Sequence, residues 1–366
     1  MLDNLDIEAA IRRGVITEET ANRLRSLSAE RRGVPAADEE RFGLVGGFAD
    51  VMATAGLLLL LAPVVMGSFL VSPFAPFFLV PPIWGLAEYF TRRRRLTLTS
   101  FALFGLFVLA AAMGCAAVGM IAAGVDLWGP KIPATPQTIP PIASLVTAAG
   151  IVMGGAAWWF RFRLPIAVAV TAVAGVNLAV HVLRLTAPAM PTAGVSILLL
   201  LIGFGLLAAA LRCDMTDVRR ETIRADVGFW LHAIAGFQVV GASYRLIFGV
   251  DGDPQGWDRL YAYTIQDPTP AAIGAALLLL VAFVLLSLAF DRRSLLTSGI
   301  AFLVPMLVRT QPMLALPIVM LFGLVLVVLS AGWTPLRAWI LPLLPITVRA
   351  QLPRTEIQLL RSRPVR

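Results

Sequence analysis

The sequence predicts an all-α fold: a polytopic transmembrane helix bundle of about ten spans, preceded by a small cytoplasmic helical hairpin. Three observations predict it. Hydrophobic residues make up 58% of the 366 positions and charged residues 14%, whereas ordinary soluble domains hold ~45–50% apolar and ~25% charged residues. From residue 43 onward, apolar runs long enough to cross a ~30 Å hydrocarbon core at ~1.5 Å per residue follow one another. Arginine gathers in alternate connections between those runs, the pattern that retains short loops on the cytoplasmic side.

Residues 1–42 are polar. Leu5, Ile7, Ala10 and Ile11 recur at helical spacing and Gly14 follows as a helix stop. Thr17 is placed as the N-cap of a second helix, with Glu18 and Glu19 in its first turn and Ala21, Leu24 and Leu27 as its apolar stripe. A Gly33-Val34-Pro35 linker ends this hairpin. The segment opens on Asp3, Asp6 and Glu8 without a basic stretch, so no cleaved signal peptide is expected. Its acids outnumber its arginines, which removes the electrostatic basis for nucleic-acid binding. Docking of a protein partner through residues 1–42 is the better expectation.

The domain 43–333 forms the bundle. Its expected spans are 44–70, 73–90, 98–123, 139–160, 165–186, 192–211, 226–248, 270–290, 294–309 and 313–332. The second is interrupted by Pro73, Pro76, Pro81 and Pro82, a pattern that breaks helices and frees carbonyls at membrane depth. The ninth is short and contains Pro305, so a re-entrant course is the alternative there. Gly150 and Gly154 form a small-xxx-small pattern suited to a close helix crossing.

With the N-terminus inside, ten crossings leave only Lys131, Arg184, Arg245, Arg259 and Arg309, of 30 basic residues, at or beyond the outer ends. This orientation places both termini in the cytoplasm and turns the basic excess toward anionic lipid, so membrane lipids are the expected surface partner. The outer loop 249–269 carries Asp251, Asp253, Asp258 and Asp267. It lacks the closing Glu of a calcium loop and reads as a solvated connection. The tail 334–366 joins Trp339, Ile340 and Leu341 to Arg349, Arg354, Arg361, Arg363 and Arg366, broken by Pro342 and Pro345. A basic interfacial segment is expected there.

Ionisable groups inside hydrocarbon cost at least ~2.5–3.5 kcal/mol each, so they are the candidates for function. Asn177, His181 and Arg184 fall on one face of the fifth span. Gln238 and Arg245 lie seven apart in the seventh. If these faces meet, they line a polar cavity open to the periplasm whose arginines suit a small anionic solute or a lipid headgroup. The simpler alternative has both arginines reaching outer headgroups while Asn177 and Gln238 bond across helices. Toward the inner level, Asp50, Glu88, Asp226 and His232 form a candidate proton relay; the bland alternative pairs each acid with a loop arginine.

Two histidines at different depths and two isolated cysteines, Cys115 and Cys213, support no metal or cofactor site. No phosphate-binding P-loop, HExxH or GxSxG motif is present, so an enzyme is not expected. Two readings remain: a binding protein or permease for a small anion or lipid, and a non-transporting scaffold or accessory subunit.

Three stretches carry a resemblance. They are Asp226-Val-Gly-Phe-Trp-Leu-His232 preceded by Arg219-Arg220, Asp291-Arg-Arg-Ser-Leu-Leu296 after an apolar span, and the Gly14-Val-Ile-Thr-Glu18 turn. In these the chain resembles uncharacterised bacterial multi-pass membrane proteins with a short helical cytoplasmic N-terminal region. The resemblance implies a bacterial inner-membrane location and brings no activity.

Overall fold

The computed structural model describes residues 10–11, 13–17, 20–21, 47–127, 139–217, 222–248, 269–310 and 315–346, without the side chains of 302–310, 315, 318 and 334. The chain divides into two compact units, Met1–Gly43 with Arg354–Arg366, and Leu44–Pro353. In the first unit Gly14 adopts a left-handed φ of 68°. Nearby, Thr17 Oγ1 accepts the Thr20 N–H at 3.3 Å. These are the local stop and cap that the residue types favour. The remainder of the expected hairpin, the 249–268 loop and most of the tail lie outside the described residues.

The second unit is helical, with no strand among the described residues. Its helices are α1 (Phe48–Val71), α2 (Val80–Ala87), α3 (Thr97–Ala122), α4 (Pro141–Phe162), α5 (Pro165–Thr186), α6 (Thr192–Thr216), α7 (Ile223–Phe248), α8 (Pro270–Phe290), α9 (Arg293–Thr310) and α10 (Ala315–Ile340). Proline opens α4, α5 and α8, where its missing N–H has no intrahelical partner to lose. Thr269 adds a side-chain cap to α8 by accepting the Ala272 N–H at 3.2 Å.

Seven helices, α1 and α3 through α8, are long and apolar enough to cross a membrane. An eighth forms if Val319–Trp333 and Pro335–Leu343, bent by 75°, are one span. The architecture is that of an integral membrane protein. The two expected spans outside this set have visible causes. Pro73 and Pro76 lie in a turn and a 3-10 segment, Ala75–Leu79. Pro81 and Pro82 start the eight-residue α2, which passes into a π turn over Glu88–Arg93. The prolines therefore begin a helix rather than kink one. The broken stretch is covered by protein, since a Cβ on Gly114 of α3 would meet the Phe77 ring at 2.7 Å. In α9, Arg293, Pro305 and Arg309 dilute the apolar run.

Helix α7 packs against α5, α6, α8 and α9. Fourteen of its residues are buried, including His232, Gln238 and Arg245. Around α1–α5 the core is aromatic: Trp158, fully buried, meets Trp84, Phe104, Phe107 and Phe162 with ring centroids 4.6–5.5 Å apart. Around α7–α10 it is built from Val239, Tyr244, Phe283, Leu288, Leu295, Phe322 and Trp333. The predicted close crossing is present between α3 and α4, where Gly150 leaves room for the Cys115 sulfur and Gly154 for the Phe107 ring.

Candidate functional site

Two buried polar regions flank α7, one toward its C-terminal end and one toward its start. The first is a seam. Val176 and Val180 of α5, Val195 and Leu199 of α6 and Ala242 of α7 form one buried cluster. The polar residues border it. Asn177 and His181 are each 2% exposed, next in sequence to the two α5 valines. Arg245 is 4% exposed and donates from Nε to Ser196 Oγ at 3.1 Å. Gln238 reaches the Leu199 carbonyl at 3.5 Å, and Asn177 donates to the Val173 carbonyl at 2.9 Å. Arg184 is half-buried. Gly203 lets α6 approach, since a Cβ there would stand 2.8 Å from Val239 Cγ2.

The structure thus joins the α7 stripe to α6 through the bonds of Gln238 to Leu199 and of Arg245 to Ser196, while Asn177 and His181 are buried on α5, Asn177 bonded within its own helix. Arg245, expected at the mouth of a cavity or among headgroups, is instead enclosed by helices. A small apolar pocket lies elsewhere, between α7, α8 and α9, lined by Val240, Leu279, Phe283, Leu296, Gly299 and Ile300. The side chain of Arg309 lies outside the described residues.

The second region is an ionic hub where α6 ends, α7 begins, and α8 turns into α9. Asp291 closes α8 in the left-handed conformation (φ 56°). The following Arg292 is thereby turned back into the bundle. Its guanidinium grips Asp214 of α6 with two nitrogens, Nε donating to Oδ2 at 2.9 Å and Nη2 to Oδ1. Nη2 also approaches the Ala225 carbonyl of α7 at 3.4 Å. Asp214 and Arg292 are 6% and 2% exposed, so both charges are removed from water and must be matched. Asp291 holds α10: Trp333 Nε1 donates to its Oδ1 at 2.8 Å, and Arg337 Nη1 stands 3.6 Å from Oδ2. Arg293 stacks over the Trp333 ring at 5.3 Å. Three consecutive residues therefore tie α6, α7, α8 and α10 together.

His232 belongs to this hub. Its Nδ1 lies 2.8 Å from the Gly228 carbonyl and its Nε2 3.6 Å from Asp214 Oδ2. The carboxylate beside His232 is thus Asp214, not one of the three acids of the expected relay. Asp50 sits elsewhere, accepting the Leu98 and Thr99 N–H groups and the Thr99 hydroxyl, and so caps α3 from α1. Glu88 receives Arg161 at 2.6 and 2.9 Å and has Arg92 at 3.6 Å, the arginine pairing that was the bland alternative. Asp226 is exposed at the start of α7, within electrostatic reach of Arg292 and Asp217. The relay set is dispersed because 1–3 residue offsets around a helix turn side chains to different neighbours, which depth along the sequence does not encode.

Sequence reasoning missed Asp214, Asp291, Trp333 and Arg337 as site residues and counted Arg292 and Arg337 as loop and tail charges. A signal was present: Asp291-Arg292-Arg293 directly follows an apolar run, and Gly228 lies one turn before His232. Among the described residues no group of three or more His, Cys, Asp or Glu is placed to hold a metal ion.

The fold and the two regions define an all-α integral membrane protein with charged groups locked inside its bundle. Comparison with protein-family models, with curated proteins and with solved structures finds no match to this chain.

Proposed function

We propose that this chain is a bacterial inner-membrane protein, crossing ten times with both termini cytoplasmic, that binds a small anionic solute or lipid headgroup at the α5–α6–α7 seam near the periplasmic face. The burial of Arg245 carries the reading. An arginine that only anchors a span extends its head to the headgroups, but this one is 4% exposed and bonded to Ser196 of α6. A guanidinium so held offers planar, bidentate recognition of carboxylate or phosphate. Close packing supports binding within the bundle over passage through it.

The test is melting of the purified full chain with inorganic phosphate, and in nanodiscs with or without phosphatidylglycerol. The wild type gains melting temperature with one of these and R184Q/R245Q loses the gain. Equal gains in both proteins, or none in the wild type with any probe, overturn the reading.

A second reading, a non-transporting scaffold docking partners through residues 1–42, is favoured by the carbonyl bonds of the two amides: Gln238 bonds across to Leu199 of α6 as ordinary interhelical glue, and Asn177 bonds within α5. Co-purification after mild solubilisation separates it: a chain that stays alone at every detergent level counts against the scaffold.

A further inference from the structure

We propose that His232 and Asp214 form a buried proton-binding site whose occupancy sets the grip of Arg292 on α6 and α7. This involves different residues from the seam and stands or falls separately from the anion-binding reading.

The argument starts with the tautomer. A carbonyl oxygen can only accept, so His232 Nδ1, 2.8 Å from the Gly228 carbonyl, carries the ring hydrogen. In the neutral ring Nε2 is then a lone pair, and it faces Asp214 Oδ2 at 3.6 Å, where an ionised carboxylate also only accepts. Two acceptors face each other in a fully buried place, as His232 is 0% exposed. A proton on Nε2 turns this opposition into a charge-assisted bond. It adds to the lone pair from the aqueous phase, and no other covalent bond changes.

Oδ2 is the pivotal atom because it already accepts Arg292 Nε at 2.9 Å. Oδ2 can accept from both, but the protonated ring sets a second positive charge beside the Arg292 guanidinium, and the two repel across the same oxygen. The carboxylate cannot retreat through α7, since it rests on the backbone at Gly228, where a Cβ would stand 2.9 Å from Asp214 Oδ1. Shortening the Nε2 contact to hydrogen-bond length therefore loosens the Arg292 fork. Arg292 shares its turn with Asp291, so the change reaches Trp333 and Arg337 on α10.

Among the described residues the following groups face this site. From α6 come Asp214 and the Cys213 thiol, whose Cβ would lie 3.4 Å from a Gly228 side chain. Asp217, at the end of α6, is engaged with Thr222. The α8–α9 turn brings Arg292, with Asp291 and Arg337 one layer behind. From α3, Phe101 meets Trp230, and from α5, Val168 and Ala172 pack near Leu231, all apolar. On α7 itself Arg224 and Asp226 are exposed, within electrostatic reach of Cys213 and Arg292 respectively.

The chain has two histidines, so H181Q leaves His232 as the single ring in a 15N-histidine spectrum of the full protein. Expected are the Nδ1–H tautomer at high pH and one titration as pH falls. Protection of the amides at the end of α6 and in the 291–295 turn, corrected for intrinsic exchange, falls with the same midpoint. Adding D214N moves the midpoint down by about one pH unit or more, because an adjacent carboxylate favours the charged ring. An Nε2–H tautomer, unchanged protection across the titration, or the same midpoint in D214N overturns the proposal. Should D214N fail to fold, tautomer and protection in H181Q decide alone.

Discussion

The seam and the hub lie on the same helix and treat charge in opposite ways. At the seam the described contacts match a guanidinium and two amides with a hydroxyl and backbone carbonyls. At the hub they match arginines with carboxylates, Arg292 with Asp214 and Arg337 with Asp291. The proposed anion site would draw on the first arrangement, whereas the paired charges of the second form a lock that resists opening. One helix thus borders both the region proposed for recognition and a hub that holds α6, α8 and α10 in register.

Breaking the lock gives the largest expected effect. D214A leaves Arg292 buried without its carboxylate and costs about 3–5 kcal/mol, read as unfolding in detergent or mixed micelles. The double variant D214L/R292M recovers most of that loss, since an apolar pair of similar volume removes both charges. If the double costs as much as the single, the hub does more than compensate charge.

A smaller effect comes from G228A. Its Cβ, 2.9 Å from Asp214 Oδ1, pushes the carboxylate off the helix at a cost of about 1–3 kcal/mol in the same unfolding measurement. A neutral outcome would mean that the carboxylate has room to move. At the seam, Q238L removes one long interhelical bond and costs only about 0.6 kcal/mol. A loss comparable to D214A would erase the contrast between the two regions.

Glu88 and Asp50 show how differently similar acids end up. Glu88 stays near the surface with Arg161 and Arg92, where exposed ion pairs contribute about 0–1 kcal/mol. Asp50 is 1% exposed and satisfies the first amides of α3, doing in trans what an N-cap does within its own helix. Both sit in the first half of the bundle, away from the seam and the hub.

Helix positions were readable because a chain in hydrocarbon must satisfy its backbone locally, so run length and proline placement mark the helices directly. Gly150 and Gly154 were readable for the same local reason. The stripes on α5 and α7 followed from the 3.6-residue period, and Asn177, His181, Gln238 and Arg245 are all buried. The partners were not readable. Asp214 and Arg292 are 78 residues apart, and neither differs in sequence from the loop charges beside it.

The sequence by itself determined an all-helical membrane chain, the order of its helices and which residues share a face, because these depend on hydropathy and local geometry. Only the tertiary structure decided that Arg245 is enclosed, that Arg292 turns inward and that His232 faces Asp214. Each of those depends on which distant helix lies alongside α7, and in a bundle whose spans are all apolar, hydropathy does not distinguish one neighbour from another.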